Sequence, residues 1–471
     1  MRLRYLLLLL LIPAAFASAQ KEKGHELKFK VHGLKDTVAY LGYHYADKQY
    51  VSDTVRVDSK GNFTFKGDEP LDGGIYLVVM PSKAYFEVIV TEQKFSIETD
   101  LENPMEHMKI SGSYENEVFN EYQKYLAAKQ KEIAPIKSQY DAVKANEDSA
   151  KIFREKMKQI DKDVKAYRME VIRKHPKSFT AQLIRSMIEP EAPEPPKDEK
   201  GNIDSTFQFY YIKNHWLDSV DFSDARLLRT PLLHQKIKYY IDNLTLQTPD
   251  SIIAAVDTVV EKSKKNKEIY KYTVVTLTNQ YETSKIMGHD AVFIHLAEKY
   301  YVNDDAYWAD STLKAKLWDR INKIKPNLLG LVAHNLVMRD SSDKFVALHS
   351  LKAKYTILCF WDPTCSHCKV EIPKLVALYD SVKTEGVAAY AVCIESDPAL
   401  WKEYIREHNL DWINVHDPYE QSNFRKYYDI YSTPVIYLLD ENKKIVAKRL
   451  NTETLSELLR KFLKKESAKA D

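Results

Sequence analysis

Two cysteines, Cys365 and Cys368, lie in the last third of the sequence with two residues between them. This spacing lets two thiols open and close a disulfide within one helical turn, so it indicates redox chemistry. The apolar run Tyr355–Trp361 before them predicts a strand, and residues 369–383 after them predict a helix. The first thiol is therefore expected at a helix N-terminus, where free N–H groups and the helix dipole favour the thiolate. The second thiol can then attack a mixed disulfide formed by the first.

Further residues at fixed distances from the cysteines form a recognisable pattern. They are Phe360 and Trp361 before the cysteines, Lys369 and Pro373 after them, and Thr433-Pro434 ahead of the apolar run Val435–Leu439. With them, the segment from Pro326 to about Leu463 resembles a thioredoxin-like domain of the TlpA/ResA group. The resemblance implies that Trp361 belongs to the site and that Pro434 is a cis-proline facing the disulfide, beside which substrate backbone is held.

The sequence departs from thioredoxin itself in two ways. Thioredoxin has a buried aspartate six residues before its first active cysteine, and Cys359 occupies that position here. Glu395 follows the apolar run Tyr390–Ile394, and domains of the TlpA/ResA group often place a glutamate near the disulfide from this segment. Glu395 is thus a candidate proton acceptor, and the alternative is a solvated carboxylate at a strand end. A helix predicted at Ala399–Arg406, inserted after this strand, is typical of the TlpA/ResA group.

His367, between the two cysteines, bears on the direction of the chemistry. Its imidazole can donate a hydrogen bond to the Cys365 thiolate or, when protonated, a charge. A stabilised thiolate makes the disulfide a better oxidant. Periplasmic disulfide oxidases and protein disulfide isomerases carry histidine at this position, whereas thioredoxins carry proline. We expect a site less reducing than that of thioredoxin, with a solvent-facing His367 as the alternative.

Other uses of the cysteines fit the sequence less well. Zinc needs about four ligands, and Cys359 and Cys393 lie inside predicted strands with no second C-x-x-C, so neither a metal nor another cofactor is expected. The spacing in Pro363-Thr364-Cys365 is not that of a peroxiredoxin. A structural disulfide closing so short a loop contributes little stability. Cys359 and Cys393 are expected to be buried apolar residues, and a meeting between them across adjacent strands stays open.

The first 19 residues have the pattern of a secretory signal peptide. Met1–Arg4 is basic, Tyr5–Ile12 is apolar, and Ala17–Ala19 offers small residues for cleavage. No cysteine follows the cleavage site, which argues against a lipoprotein. The apolar run is short for a membrane span and none comparable follows it, so no transmembrane segment is expected in the mature chain. The predicted location is a bacterial periplasm, where disulfide exchange takes place.

Composition and periodicity predict a multidomain protein. Lysine and arginine number 69 against 67 acidic residues, a neutral balance that gives no reason to expect nucleic acid as a partner. Alternating short runs predict an all-β sandwich at 20–112, and helical spacing predicts an all-α region at 113–324 with a proline-rich break near 189–200. An α/β thioredoxin-like fold is predicted at 325–465. The two N-terminal regions resemble the β-domain and helical segment of unknown function that accompany such redox domains.

The predicted function is that of a periplasmic thiol-disulfide oxidoreductase acting on protein disulfides or dithiols. Cys365 would attack, Cys368 would resolve, His367 would tune the thiolate and Pro434 would hold the substrate. An inner-membrane electron donor is the expected partner, and a homodimer stays open. The alternative is an envelope binding or sensing protein whose thioredoxin-like domain turns over little, although the complete pair of cysteines argues against it.

Overall fold

The computed structural model of the chain describes residues 24–81, 84–197, 199–303 and 305–470. The predicted signal peptide, residues 1–19, lies outside these ranges. The chain divides into two compact units, residues 1–240 and 241–471. Over the described ranges, no helix is long and apolar enough to span a membrane.

The first unit begins with two four-stranded sheets. Their strands are β1 (His25–His32), β2 (Thr37–Tyr45), β3 (Lys48–Val57), β4 (Asn62–Gly67), β5 (Gly74–Val79), β6 (Tyr85–Val90), β7 (Lys94–Asp100) and β8 (Lys109–Ser111). The strand orders are β4-β1-β7-β8 and β3-β2-β5-β6. Alternate side chains of both sheets form one apolar core, in which the rings of Phe29 and Phe63 stack 5.3 Å apart. This packing confirms the predicted β-sandwich.

Helices follow in the same unit. They are α1 (Tyr114–Val143), α2 (Glu147–Lys174), α3 (Phe179–Met187), α4 (Phe207–His215) and α5 (Leu232–Asp242), the last of which crosses the division between the units. Ser113 starts α1 because its side chain accepts a hydrogen bond from the N–H of Asn116, and Asn146 caps α2 in the same way. The proline-rich stretch between α3 and α4 runs as a loop, as its composition predicts.

The second unit opens with a helical segment. Its helices are α6 (Pro249–Ser263), α7 (Lys267–Glu282), α8 (His289–Leu296) and α9 (Ser311–Ile324), and a single wide turn, Ala297–Val302, continues α8. Apolar side chains at helical spacing are buried in each of them. The predicted all-α region is thereby confirmed.

A seven-stranded sheet with helices completes the second unit. Its order is β10-β9-β13-β12-β11-β14-β15, with β9 (Val337–Asp340), β10 (Phe345–Ala347), β11 (Tyr355–Trp361), β12 (Val387–Cys393), β13 (Ile413–His416), β14 (Val435–Leu439) and β15 (Ile445–Lys448). The helices are α10 (Ser366–Val382), α11 (Pro398–Glu407), α12 (Phe424–Tyr427) and α13 (Thr452–Ala470). Strand β11 is parallel to β12, antiparallel to β14 and buried along its whole length. The predicted α/β thioredoxin-like fold is confirmed.

Buried polar contacts join the helical segment to this α/β domain. The ammonium of Lys448 on β15 pairs with the carboxylate of Asp290 on α8, and their side chains are only 5% and 11% exposed. The side-chain amide of Asn327 donates to the carbonyl of Tyr427 at 2.8 Å. Buried polar groups need hydrogen-bond partners, and a shift of α8 or α9 would leave these groups without them. The contacts therefore fix the position of α8 and α9 relative to the end of the sheet.

Candidate active site

The two cysteines lie at the junction between β11 and α10. Cys365 is the N-cap residue of α10, with extended backbone angles, and Cys368 lies in the first turn. The sequence predicted a helix start at residue 369; the observed start at Ser366 means that both thiols belong to the helix end. Both are free thiols, and Cys365 is partly exposed whereas Cys368 is buried.

Electrostatics favour the thiolate at Cys365. The pKa of this thiol lies below its usual value, chiefly because the side chain of Thr433 hydrogen bonds to the sulfur. Backbone N–H groups of Cys368 and His367 act in the same direction, while partial burial opposes them. A hydrogen bond donated to the charged form always lowers an acidic pKa. The Cys365 thiol itself donates a hydrogen bond to the carbonyl oxygen of Thr433 at 3.4 Å, so Thr433 contacts the first thiol directly.

Burial has the opposite effect on Cys368. It raises the pKa of this thiol to about 11, although the N–H of Asp362 donates to its sulfur at 3.4 Å. At neutral pH the buried thiol therefore stays protonated while the exposed one ionises more readily. The arrangement can support attack by Cys365 and a later, second attack by Cys368.

The loop before β14 brings a third group of predicted residues to the cysteines. The peptide bond between Thr433 and Pro434 is cis, as the resemblance to the TlpA/ResA group implies. Both residues line a groove of about 620 Å³ that His367 also borders. The imidazole of His367 is exposed, and its backbone N–H is the group that faces the Cys365 sulfur.

Trp361 and Glu395 lie at the ends of the neighbouring strands β11 and β12. Trp361 is fully buried at the end of β11, its ring is 5.0 Å from that of Tyr404, and its indole N–H has no hydrogen-bond partner within the described ranges. Glu395 lies two residues beyond the end of β12, which ends at Cys393. Its carboxylate accepts hydrogen bonds from the backbone N–H groups of Ser396 and Asp397. Its role as proton acceptor stays a prediction.

The remaining cysteines lie in the core beneath the motif. Cys359 and Cys393 are buried free thiols in the same apolar cluster as Cys368. Burial raises the pKa of both, that of Cys393 to about 12. Parallel pairing sets Cys393 beside Trp361 and Cys359 beside Ala391, so the two thiols occupy staggered positions on adjacent strands. Both therefore pack as apolar side chains, as expected.

Sequence reasoning missed some polar groups near the site. Tyr404, on the inserted helix α11, is buried in the cluster that holds Cys368, and its hydroxyl has no partner within the described ranges. Burial and the neighbouring Cys368 charge raise its pKa. The spacing of Trp401 and Tyr404 on one helical face was the available signal. The charged groups of the groove, such as Asp429, come from segments distant in sequence and gave no such signal.

Three family models match successive parts of the chain. A domain of unknown function, DUF4369, matches residues 26–119, and a second, DUF5106, matches residues 174–329. The AhpC/TSA family matches residues 329–448. The first match covers the two N-terminal sheets, and the second covers the helices from α3 to α9. The third covers most of the domain that holds the cysteines.

Individual proteins and solved structures also resemble this chain. The thiol-disulfide oxidoreductase ResA of Bacillus thuringiensis is 27% identical over 137 residues, which is 29% of this chain and 78% of ResA. A domain of a possible thiol-disulfide isomerase from Cytophaga hutchinsonii is 41% identical, covering 31% of this chain and 97% of that one, with a TM-score of 0.28. A thioredoxin-like protein from Bacteroides caccae is 19% identical over 58% of this chain and 97% of its own, with a TM-score of 0.48.

These matches confirm the predicted resemblance and the predicted class of enzyme. Residues 329–448 of this chain are a thioredoxin-like domain of the AhpC/TSA family, related to the ResA thiol-disulfide oxidoreductases.

Proposed function

We propose that the chain is a periplasmic thiol-disulfide oxidoreductase that exchanges disulfides with protein substrates through Cys365 and Cys368. One observation carries the proposal: hydrogen bonds from Thr433 and from the start of α10 lower the pKa of one thiol, and burial raises the pKa of the other. A site that only held a structural disulfide has no need of one accessible, ionisable sulfur. Such an unequal pair suits a nucleophile and a resolving thiol.

In the reducing direction, the Cys365 thiolate attacks one sulfur of a substrate disulfide. An S–S bond forms between enzyme and substrate, and the other substrate sulfur leaves as a thiolate that takes a proton from water. Cys368 then loses its proton and attacks the Cys365 sulfur, which releases the second substrate thiol. Two electrons pass to the substrate, and an electron donor must reduce the new Cys365–Cys368 disulfide. The oxidising direction reverses these steps.

The other site residues act around this exchange. Pro434 has no N–H, so the backbone beside it is free to pair with an incoming extended segment. His367 tunes the Cys365 thiolate, Trp361 at the end of β11 packs against Tyr404, and Glu395 accepts a proton during the second attack. The positions of Pro434 and His367 on one groove support their roles.

The location and partners follow from the sequence. The pattern of residues 1–19 supports export to the periplasm, and a donor at the inner membrane would supply electrons there. The domain limits that we propose are 20–112, 113–324 and 325–465. Substrates are proteins, since the groove beside Pro434 is open to an extended chain.

The test is reduction of insulin disulfides by the full chain with dithiothreitol as electron donor. We expect turnover well above dithiothreitol alone, its loss in Cys365→Ser, and a trapped mixed disulfide in Cys368→Ala. Cys393→Ala, which removes a buried thiol that the proposed exchange does not use, is the matched control and should keep turnover. A full chain that adds nothing to dithiothreitol would instead support a binding or sensing protein.

A further inference from the structure

The groove beside Pro434 has walls from two parts of the second unit. Lys285, after α7, and Arg320, on α9, come from the helical segment. Thr433, Pro434 and Arg449 come from the thioredoxin-like domain. The helical segment therefore borders the same groove as the residue that contacts the Cys365 sulfur. A substrate that lies along Thr433 meets both parts of the unit.

An ion triad lies at the base of this groove. One oxygen of Asp429 pairs with Arg320 at 2.5 Å and the other with Arg449. The Asp429 side chain is 6% exposed, and although burial acts to raise its pKa, the two arginines outweigh it and hold the pKa below the usual value. Asp429 is thus ionised and cancels one of the two positive charges. The other positive charge is left facing the groove.

The remaining charged groups add to this excess. Lys285 is exposed and has no carboxylate partner within the described ranges. The second acidic residue of the groove, Glu371, is already bound by Lys374 at 2.8 Å and by Thr452. Arg449 keeps 38% of its side chain exposed despite its pairing. An incoming carboxylate finds two accessible cations and no free acidic group among these residues.

We propose that this groove selects substrate segments that carry an acidic side chain within a few residues of the reacting cysteine. The inference rests on the proposed function and adds a substrate class to it. An extended chain advances about 3.3 Å per residue, so a residue two positions from the substrate cysteine lies about 7 Å along the groove from the sulfur. A complementary charge at the edge of a groove mainly increases the association rate and orients the bound substrate.

The experiment measures kcat/KM for reduction of three disulfide-bonded peptides by the full chain, with dithiothreitol as electron donor and its direct reaction with each peptide subtracted. The peptides differ only in Glu, Gln or Lys two positions from the cysteine. We expect the Glu peptide to exceed the Gln peptide by about threefold to tenfold at low salt, and less at high salt because exposed charges are screened. Lys285→Gln should reduce this ratio, and Lys285→Glu should turn it in favour of the Lys peptide. Lys316→Gln, which changes an exposed lysine on α9 that does not line the groove, should leave the ratio unchanged.

Two further measurements separate the outcomes. Thermal unfolding of each variant shows that it is folded, so that a changed ratio reports on charge. Reduction of 2-hydroxyethyl disulfide, a small neutral substrate, by the unaltered chain tests the exchange chemistry alone. Equal kcat/KM for the three peptides with normal turnover of the neutral disulfide would overturn the acidic preference and leave the proposed function standing. No turnover of the neutral disulfide would overturn the proposed function itself.

Discussion

The two active-site thiols differ because Cys365 is the partly exposed cap residue of α10, whereas Cys368, with two residues between them, is buried in its first turn. Cys365 receives hydrogen bonds from Thr433 and from helix N–H groups, which lower its pKa, whereas burial raises the pKa of Cys368 to about 11. With that pKa, only about one Cys368 in ten thousand is ionised at pH 7. We therefore predict that a maleimide labels Cys365 more than about a hundredfold faster than Cys368 in the reduced chain.

The pH dependence of labelling checks the same assignment. Since only the thiolate reacts, labelling of Cys365 should increase with pH up to a pKa below the usual value of a cysteine thiol and then level off, and labelling of Cys368 should increase only in strongly alkaline solution. Peptide mapping after timed quenching gives both rates. Cys365→Ser is the control and should show only the slow rate. Similar rates at the two sites would remove the basis for their separate roles.

His367 contributes two groups, and the structure separates them. Its backbone N–H helps to lower the pKa of Cys365, and its imidazole lies exposed on the groove. Substitution by proline, the thioredoxin residue, removes both groups, whereas His367→Gln removes only the imidazole. We predict that both variants raise the Cys365 pKa and lower the reduction potential, proline more than glutamine. The exposed imidazole contributes about 1 kcal/mol or less to the stability of the thiolate. His367→Gln should therefore lower the reduction potential by about 20 mV or less.

Equilibration of each His367 variant with glutathione gives the potential, and thiolate absorbance gives the pKa. The two must move together, because whatever stabilises the thiolate stabilises the reduced state. If His367→Gln leaves both unchanged while His367→Pro shifts both, the backbone N–H and not the imidazole tunes the site. If neither variant shifts either quantity, His367 is solvated and the expectation of a less reducing site loses its support.

At the scale of elements, the site forms where β11, the start of α10 and the loop before β14 meet. The bounds of β11 and β14 were predictable, since buried central strands read as unbroken apolar runs. The start of α10 was predicted three residues late, because Ser366 and His367 interrupt the apolar spacing although they are helical. Ion pairs such as Arg320 with Asp429 were not predictable, since 109 residues separate the partners and both are ordinary surface residue types.

The contact between α8 and β15 is predicted to stabilise the second unit strongly. Lys448→Met removes one partner of a buried ion pair and leaves the Asp290 carboxylate uncompensated in a site 11% exposed. Breaking such a pair costs about 3–5 kcal/mol of unfolding free energy. Thermal and denaturant unfolding of the full chain, followed for the transition of the second unit, measures the loss.

A double variant and an exposed pair complete this test. Lys448→Met with Asp290→Asn leaves no buried charge and should recover most of the lost stability. Lys323→Met breaks the exposed pair with Asp319 on α9 and should cost about 0.5 kcal/mol or less. If Lys448→Met is no more destabilising than Lys323→Met, the α8–β15 contact does not hold the helical segment to the sheet.

At the scale of the whole molecule, the family matches and the compact units divide the chain differently. The DUF5106 match covers residues 174–329, and the division between the units falls inside it at residues 240 and 241. The sequence suggested a single helical region because helical spacing continues across that point. Only tertiary contacts such as Asn327 with Tyr427 show that the later helices belong with the thioredoxin-like domain.

This division yields a prediction for shortened chains. Residues 241–471 retain Lys285, Arg320 and the Asp290–Lys448 pair, so we expect them to fold and to keep the preference for the Glu peptide. Residues 326–471 lack Lys285 and Arg320, and without the latter Arg449 alone neutralises Asp429, so the groove loses most of its positive excess. This shorter chain should reduce 2-hydroxyethyl disulfide at an unchanged rate but should show a Glu-to-Gln ratio near one. An undiminished ratio would place the charge selection within the thioredoxin-like domain and leave the helical segment without a part in substrate choice.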